Sequence, residues 1–115
     1  MALTKIQDEM LAKSGVAAKA WVNYYYTGGT PTIYDSYNVS SLTDNGTGDA
    51  TINFNNNMSD TNYGVAGSAH ATTLLGNLDA TTPRTTSSVR MTVRDSNTQA
   101  VADSPSPIMV IVFGN

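Results

Sequence analysis

Between Pro107 and Gly114 the chain reads IMVIVF, six apolar residues in succession from Ile108 to Phe113. A run this short, rich in β-branched residues and bounded by Pro and Gly, is a strand rather than a helix. Side chains on a strand alternate between its two faces, so apolar residues at every position demand cover on both sides. A second sheet, a neighbouring subunit or a helix of the same chain can cover the second face.

The rest of the chain supplies strands. From Ala17 onward the polar residues are mostly Thr, Ser and Asn, and the breaks fall at Gly and Asn-Gly, the composition of short strands joined by turns. Residues 37–43 and 50–54 flank the loop DNGTGD at 44–49, whose Asn and Gly tolerate the positive φ of a tight hairpin. Val89, Met91 and Val93 alternate with Arg90, Thr92 and Arg94, giving that strand one buried and one wet face. Strands over 18–26 and 63–71, with loops over 81–88 and 103–107, bring the expected number to six or seven. The predicted class is mainly β: a small antiparallel β-sandwich, jelly-roll-like, over residues 17–115.

Residues 1–16 read differently. Thr4 followed by Gln7 matches a capping box, Leu3, Ile6, Met10 and Leu11 share one helical face, and Gly15 is a stop. The pattern predicts a short N-terminal helix over about 5–13, too short to be stable alone in water. Its apolar face has to dock on its own domain, on sister helices or on a larger assembly, and we read it as a docking arm.

The aromatic residues concentrate in one place. Trp21, Tyr24, Tyr25 and Tyr26 fall within six residues of a chain that is 8% aromatic. On a strand, Trp21, Asn23 and Tyr25 point one way and Val22, Tyr24 and Tyr26 the other. One reading makes Trp21 a core anchor, packed with residues 108–113, and lets the tyrosines line a seam between subunits. The other makes them, with Tyr34 and Tyr37, a platform for the apolar faces of a sugar.

Composition narrows the chemistry. At 115 residues and 12.2 kDa the chain has room for one modest core. Six Lys and Arg against nine Asp and Glu, with no basic stripe, make nucleic acid an unsuited partner. There is no Cys, and no apolar run approaches the length of a membrane span. Asp8 and Glu9 stand where a signal peptide would be apolar, so no export signal is expected. His70 is the sole His and Glu9 the sole Glu, which leaves no relay of imidazole and carboxylate to predict and no metal site built on paired imidazoles. Asp35, Asp44, Asp49 and Asp60 fall in or beside turns, where Asp binds its own backbone. Asp44, Asn45 and Asp49 could offer oxygens to a calcium ion, although their spacing is not that of an EF-hand. We expect neither enzymatic activity nor a cofactor.

Four stretches, read in order, resemble a known module. These are KAWVN at 19–23, SYNVSSLTDNGTGD at 36–49, NYGV at 62–65 and VIVFGN at 110–115. Together they are similar to a module of tailed-phage virions identified as tail-fibre protein or its C-terminal region, and the likeness extends over residues 17–115. The resemblance implies a non-enzymatic, homotrimeric component on the virion surface, in contact with other virion proteins and, from a tail position, with host-surface glycans. It marks no receptor-binding residues. Because only residues 1–16 precede the module and no shaft is present, two expectations follow: a tail-fibre-type protein that caps another fibre component, or a decoration or cement protein that stabilises the capsid.

Overall fold

The computed structural model describes residues 18–69, 74–78 and 83–114. The helix predicted over 5–13, with Leu3, Ile6, Met10 and Leu11, lies outside the described residues, as does His70.

Eight strands follow one another: β1 (Ala18–Thr27), β2 (Thr30–Tyr37), β3 (Val39–Gly46), β4 (Asp49–Phe54), β5 (Gly64–Ala69), β6 (Leu74–Leu78), β7 (Ser88–Asp95) and β8 (Ile108–Phe113). They form two four-stranded sheets, β2-β1-β8-β5 and β3-β4-β7-β6, and every neighbouring pair is antiparallel. The fold is therefore sandwich-like and mainly β, as the turn-rich pattern predicts. Four of the seven connections cross between the sheets and three do not, so the strand order is only partly that of the expected jelly-roll winding. Here β1 and β2, β3 and β4, and β6 and β7 are neighbours within a sheet.

Two strands exceed the predicted set. In β2, Pro31 argues against a strand in a central position; the strand sits at a sheet edge, where a missing N–H can be tolerated. In β6, Gly76 and Asn77 interrupt the pattern. The hairpin of β3 and β4 is tighter than the six-residue loop expected, because pairing continues to Gly46 and Asp49 and leaves Thr47 and Gly48 as the turn. Gly46 and Gly48 have φ of 134° and 62°, angles open to glycine at little cost.

The core lies between the sheets. β1 contributes Ala20, Val22, Tyr24 and Tyr26, and β8 contributes Ile108, Val110 and Val112; β4 and β7 answer with Ala50, Ile52, Phe54, Val89, Met91 and Val93. Two seams join the layers. At one, Asn38, with φ of 55°, turns the chain from β2 into β3. Its amide donates to the carbonyls of Lys19 at 3.0 Å and Asn56 at 3.1 Å, while its side-chain oxygen accepts from the Asn56 N–H at 2.7 Å. At the other, the Gly48 N–H donates to Asp103 Oδ1 at 2.6 Å and its carbonyl accepts from Val93 N–H at 2.7 Å. The Ser104 carbonyl accepts from Tyr26 N–H at 2.8 Å, so the segment before β8 fastens the first sheet to the second.

Candidate functional site

The two sheets turn different surfaces outward. On β3, β4 and β7 of the second sheet the outward residues are polar and answer one another. Asn53 donates to Ser41 Oγ at 3.2 Å and Thr43 Oγ1 at 2.8 Å, and Asn45 donates to Thr51 Oγ1 at 2.7 Å. Arg90 grips Asp49 with both ends of its guanidinium fork, Nε to Oδ1 at 2.8 Å and Nη2 to Oδ2 at 2.5 Å. Thr92 is buried, which corrects the expectation that this whole side of β7 is wet. This outer surface satisfies its own hydrogen bonds, as a water-facing surface does.

The first sheet is largely apolar on the outer side of β8 and β5 and around Trp21. Trp21 lies opposite Ile111 and Asn23 opposite Met109 in the β1–β8 ladder, and Ala66 and Gly64 of β5 lie opposite Ile111 and Phe113. Met109 and Phe113 are 37% and 38% exposed, and Trp21 and Ile111 are half-buried. Two open depressions adjoin along β8: one lined by Ala18, Trp21, Met109, Ile111 and Phe113, the other by Ala66, Gly67, Ser68, Met109 and Ile111. The doubly apolar β8 thus uses one face in the core and presents the other outward.

This arrangement corrects three sequence-based placements. Trp21 does not anchor the core; it belongs to the outer face. Tyr24 and Tyr26 line no seam at the surface, for they are 0% and 4% exposed and packed between the sheets, with ring centroids 6.1 Å apart. The alternation along β1 is as expected, but the sense is reversed: the partner sheet lies on the side of Val22, Tyr24 and Tyr26. Burial, and then the Asp49 carboxylate, hold the Tyr24 hydroxyl far above its ordinary pKa. The Tyr26 hydroxyl is raised in the same direction by burial, then by Tyr24, Asp103, Asp44 and Asp49. Among the described residues neither hydroxyl has a hydrogen-bond partner.

Two of the remaining tyrosines do come together outside. The ladder of β1 and β2 shifts between Asn23 and Tyr24, pairing them with Asp35 and Ile33 and leaving Tyr34 as the extra residue of a bulge. Tyr34 stacks on Tyr25 with ring centroids 4.1 Å apart and planes 28° apart. Tyr34 and Tyr37 are 56% and 57% exposed, and Tyr37 lies opposite Trp21. Aromatic side chains therefore border the apolar face along β2.

The acidic residues serve the backbone. Asp44 Oδ1 accepts from Gly46 N–H at 3.0 Å, Asp60 Oδ1 from Asn62 N–H at 2.8 Å and Asp35 Oδ1 from Ser36 N–H at 2.9 Å. Asp95 accepts from Thr98 and Asn97 N–H groups, which lower its pKa. Asp49 is held by Arg90, so the three residues considered for calcium are committed to the hairpin and its neighbour. No group of three or more metal-ligating side chains forms among the described residues, and none of their helices is long and apolar enough to cross a membrane. Comparison with models of known protein families, with curated protein sequences and with solved structures returns no match.

Proposed function

We propose that this chain is a non-enzymatic structural protein of a tailed-phage particle, of tail-fibre type, homotrimeric and displayed at the virion surface. The observation that carries the reading is the two-sidedness of the sandwich. One sheet presents, along β3, β4 and β7, a hydrogen-bonded polar surface suited to water, and the other presents an apolar face of the kind that assemblies bury. The stretches that carry the phage resemblance build this scaffold: KAWVN lies in β1, SYNVSSLTDNGTGD runs from the end of β2 through the tight hairpin, and VIVFG closes β8.

The stacked Tyr25 and Tyr34, with exposed Tyr37 further along β2, support host-surface glycan as a ligand of a tail-mounted copy, since ring faces pack on the apolar faces of sugars. The same apolar sheet would equally serve a capsid decoration protein, whose work is buried area alone. Copies of the chain per purified virion, counted by quantitative mass spectrometry against the major capsid protein, test the proposal. A few trimers per particle are the expected result. A number comparable to the capsid protein would replace the tail reading with the decoration reading, and absence from the particle would overturn both.

A further inference from the structure

We infer that the outer face of the first sheet is a self-association surface, and that what covers Trp21, Met109, Ile111 and Phe113 is a second copy of this chain. The inference rests on the structural role proposed above and assigns that role a surface.

Charge permits the pairing of like with like. In a closed symmetric assembly the same patch recurs on every subunit, so charges gathered near the symmetry axis would confront themselves. The outward residues of β8 and β5, namely Met109, Ile111, Phe113, Gly64, Ala66 and Ser68, include no charge at all. The charged residues of this side, Lys19 and Asp35, are of opposite sign and lie on β1 and β2.

Size separates a second copy from the chain's own N-terminal segment. Four strands at ~4.8 Å spacing and six residues at ~3.3 Å give a face of about 400 Å². A helix of about nine residues is ~13 Å long and ~10 Å wide, and covers roughly a third of that. The face is in turn about half of what one partner buries in a standard interface. A second copy, itself built on four-stranded sheets, is large enough to cover the face whole.

Sedimentation equilibrium of the full chain at micromolar concentration reads this directly. The expected mass is that of two or more chains of 12.2 kDa, three for the proposed trimer. Ile111→Asp should weaken association at least a hundredfold, and Met109→Lys, at a more exposed position, should do the same if Ile111→Asp fails to fold. Circular dichroism checks that the variant read in the centrifuge remains folded. A monomeric wild-type protein overturns the inference, whether the face is covered by its own N-terminal segment or by a different virion protein. So does an oligomer that survives both substitutions but dissociates with Ile6→Asp, since association would then run through the N-terminal segment alone. The copy count on virions is independent: a monomer found on particles sinks this inference and the trimer but spares the virion role, while an oligomer absent from particles spares this inference and sinks the virion role.

Discussion

Gly48 carries more of the architecture than its size suggests. Its φ of 62° lies in the left-handed region, and a Cβ built there would sit 2.5 Å from the Ala102 carbonyl oxygen and 2.7 Å from that of Val93. Both contacts are with backbone that is already hydrogen-bonded across the seam, so no side chain can swing aside. Gly48→Ala should therefore cost about 2–4 kcal/mol, more than the ~1 kcal/mol of the left-handed conformation alone. Chemical denaturation would show it as a lower midpoint with an unchanged slope. A loss under 1 kcal/mol would mean that the segment from Ala102 to Ser104 can move away from the hairpin.

Tyr63, just before β5, shows how a loop is held to an element. Its hydroxyl donates to the Thr85 carbonyl at 2.7 Å, with the Ser88 carbonyl 3.1 Å away, while Arg84 donates to the Tyr63 carbonyl at 3.0 Å and places its guanidinium 5.6 Å from the ring centre. Tyr63→Phe keeps the ring against Phe54 and removes the hydroxyl, so destabilisation of about 1–2 kcal/mol is expected, with faster hydrogen exchange at Met58 and Phe54, whose N–H groups bond to Thr86 and Ser87 of that loop. At this scale the sequence is readable where one period dominates. The alternation of β7, the hairpin around Gly46 and Gly48, and the doubly apolar β8 were all legible. The sense of β1 was not, because both of its faces carry large rings. Trp21 and Tyr24 are equally credible core residues until the ladder sets Trp21 beside Ile111 and the second sheet takes the other side. β2 escaped for a related reason: its Pro31 is compatible with a strand only at an edge, and edge position is a property of the assembled sheet. The outer tyrosine pair depends on a bulge, which no local periodicity announces.

For the molecule as a whole, the two sheets meet over a pair of buried hydroxyls. Tyr24 and Tyr26 are buried with no hydrogen-bond partner among the described residues, and both are held far above the ordinary tyrosine pKa. Burial is the first cause for each, with nearby carboxylates adding to it. In the unfolded chain these groups titrate near pH ~10. Below that value both states hold the two protons and stability is unaffected. Above it the unfolded chain releases protons that the native core retains, so the unfolded state binds fewer protons and stability falls as pH rises. Each tyrosine contributes a slope of up to about 1.4 kcal/mol per pH unit, and the pair up to about 2.7. Denaturation midpoints measured from pH 8 to 12 should be level at first and drop steeply past pH ~10, with the part of the tyrosinate absorbance that belongs to Tyr24 and Tyr26 appearing only together with unfolding. Replacing both residues with Phe should flatten most of the alkaline limb, because the core then has no proton to lose at these positions. A wild-type protein whose tyrosinate signal rises fully while the fold persists would mean that water reaches the seam between the sheets.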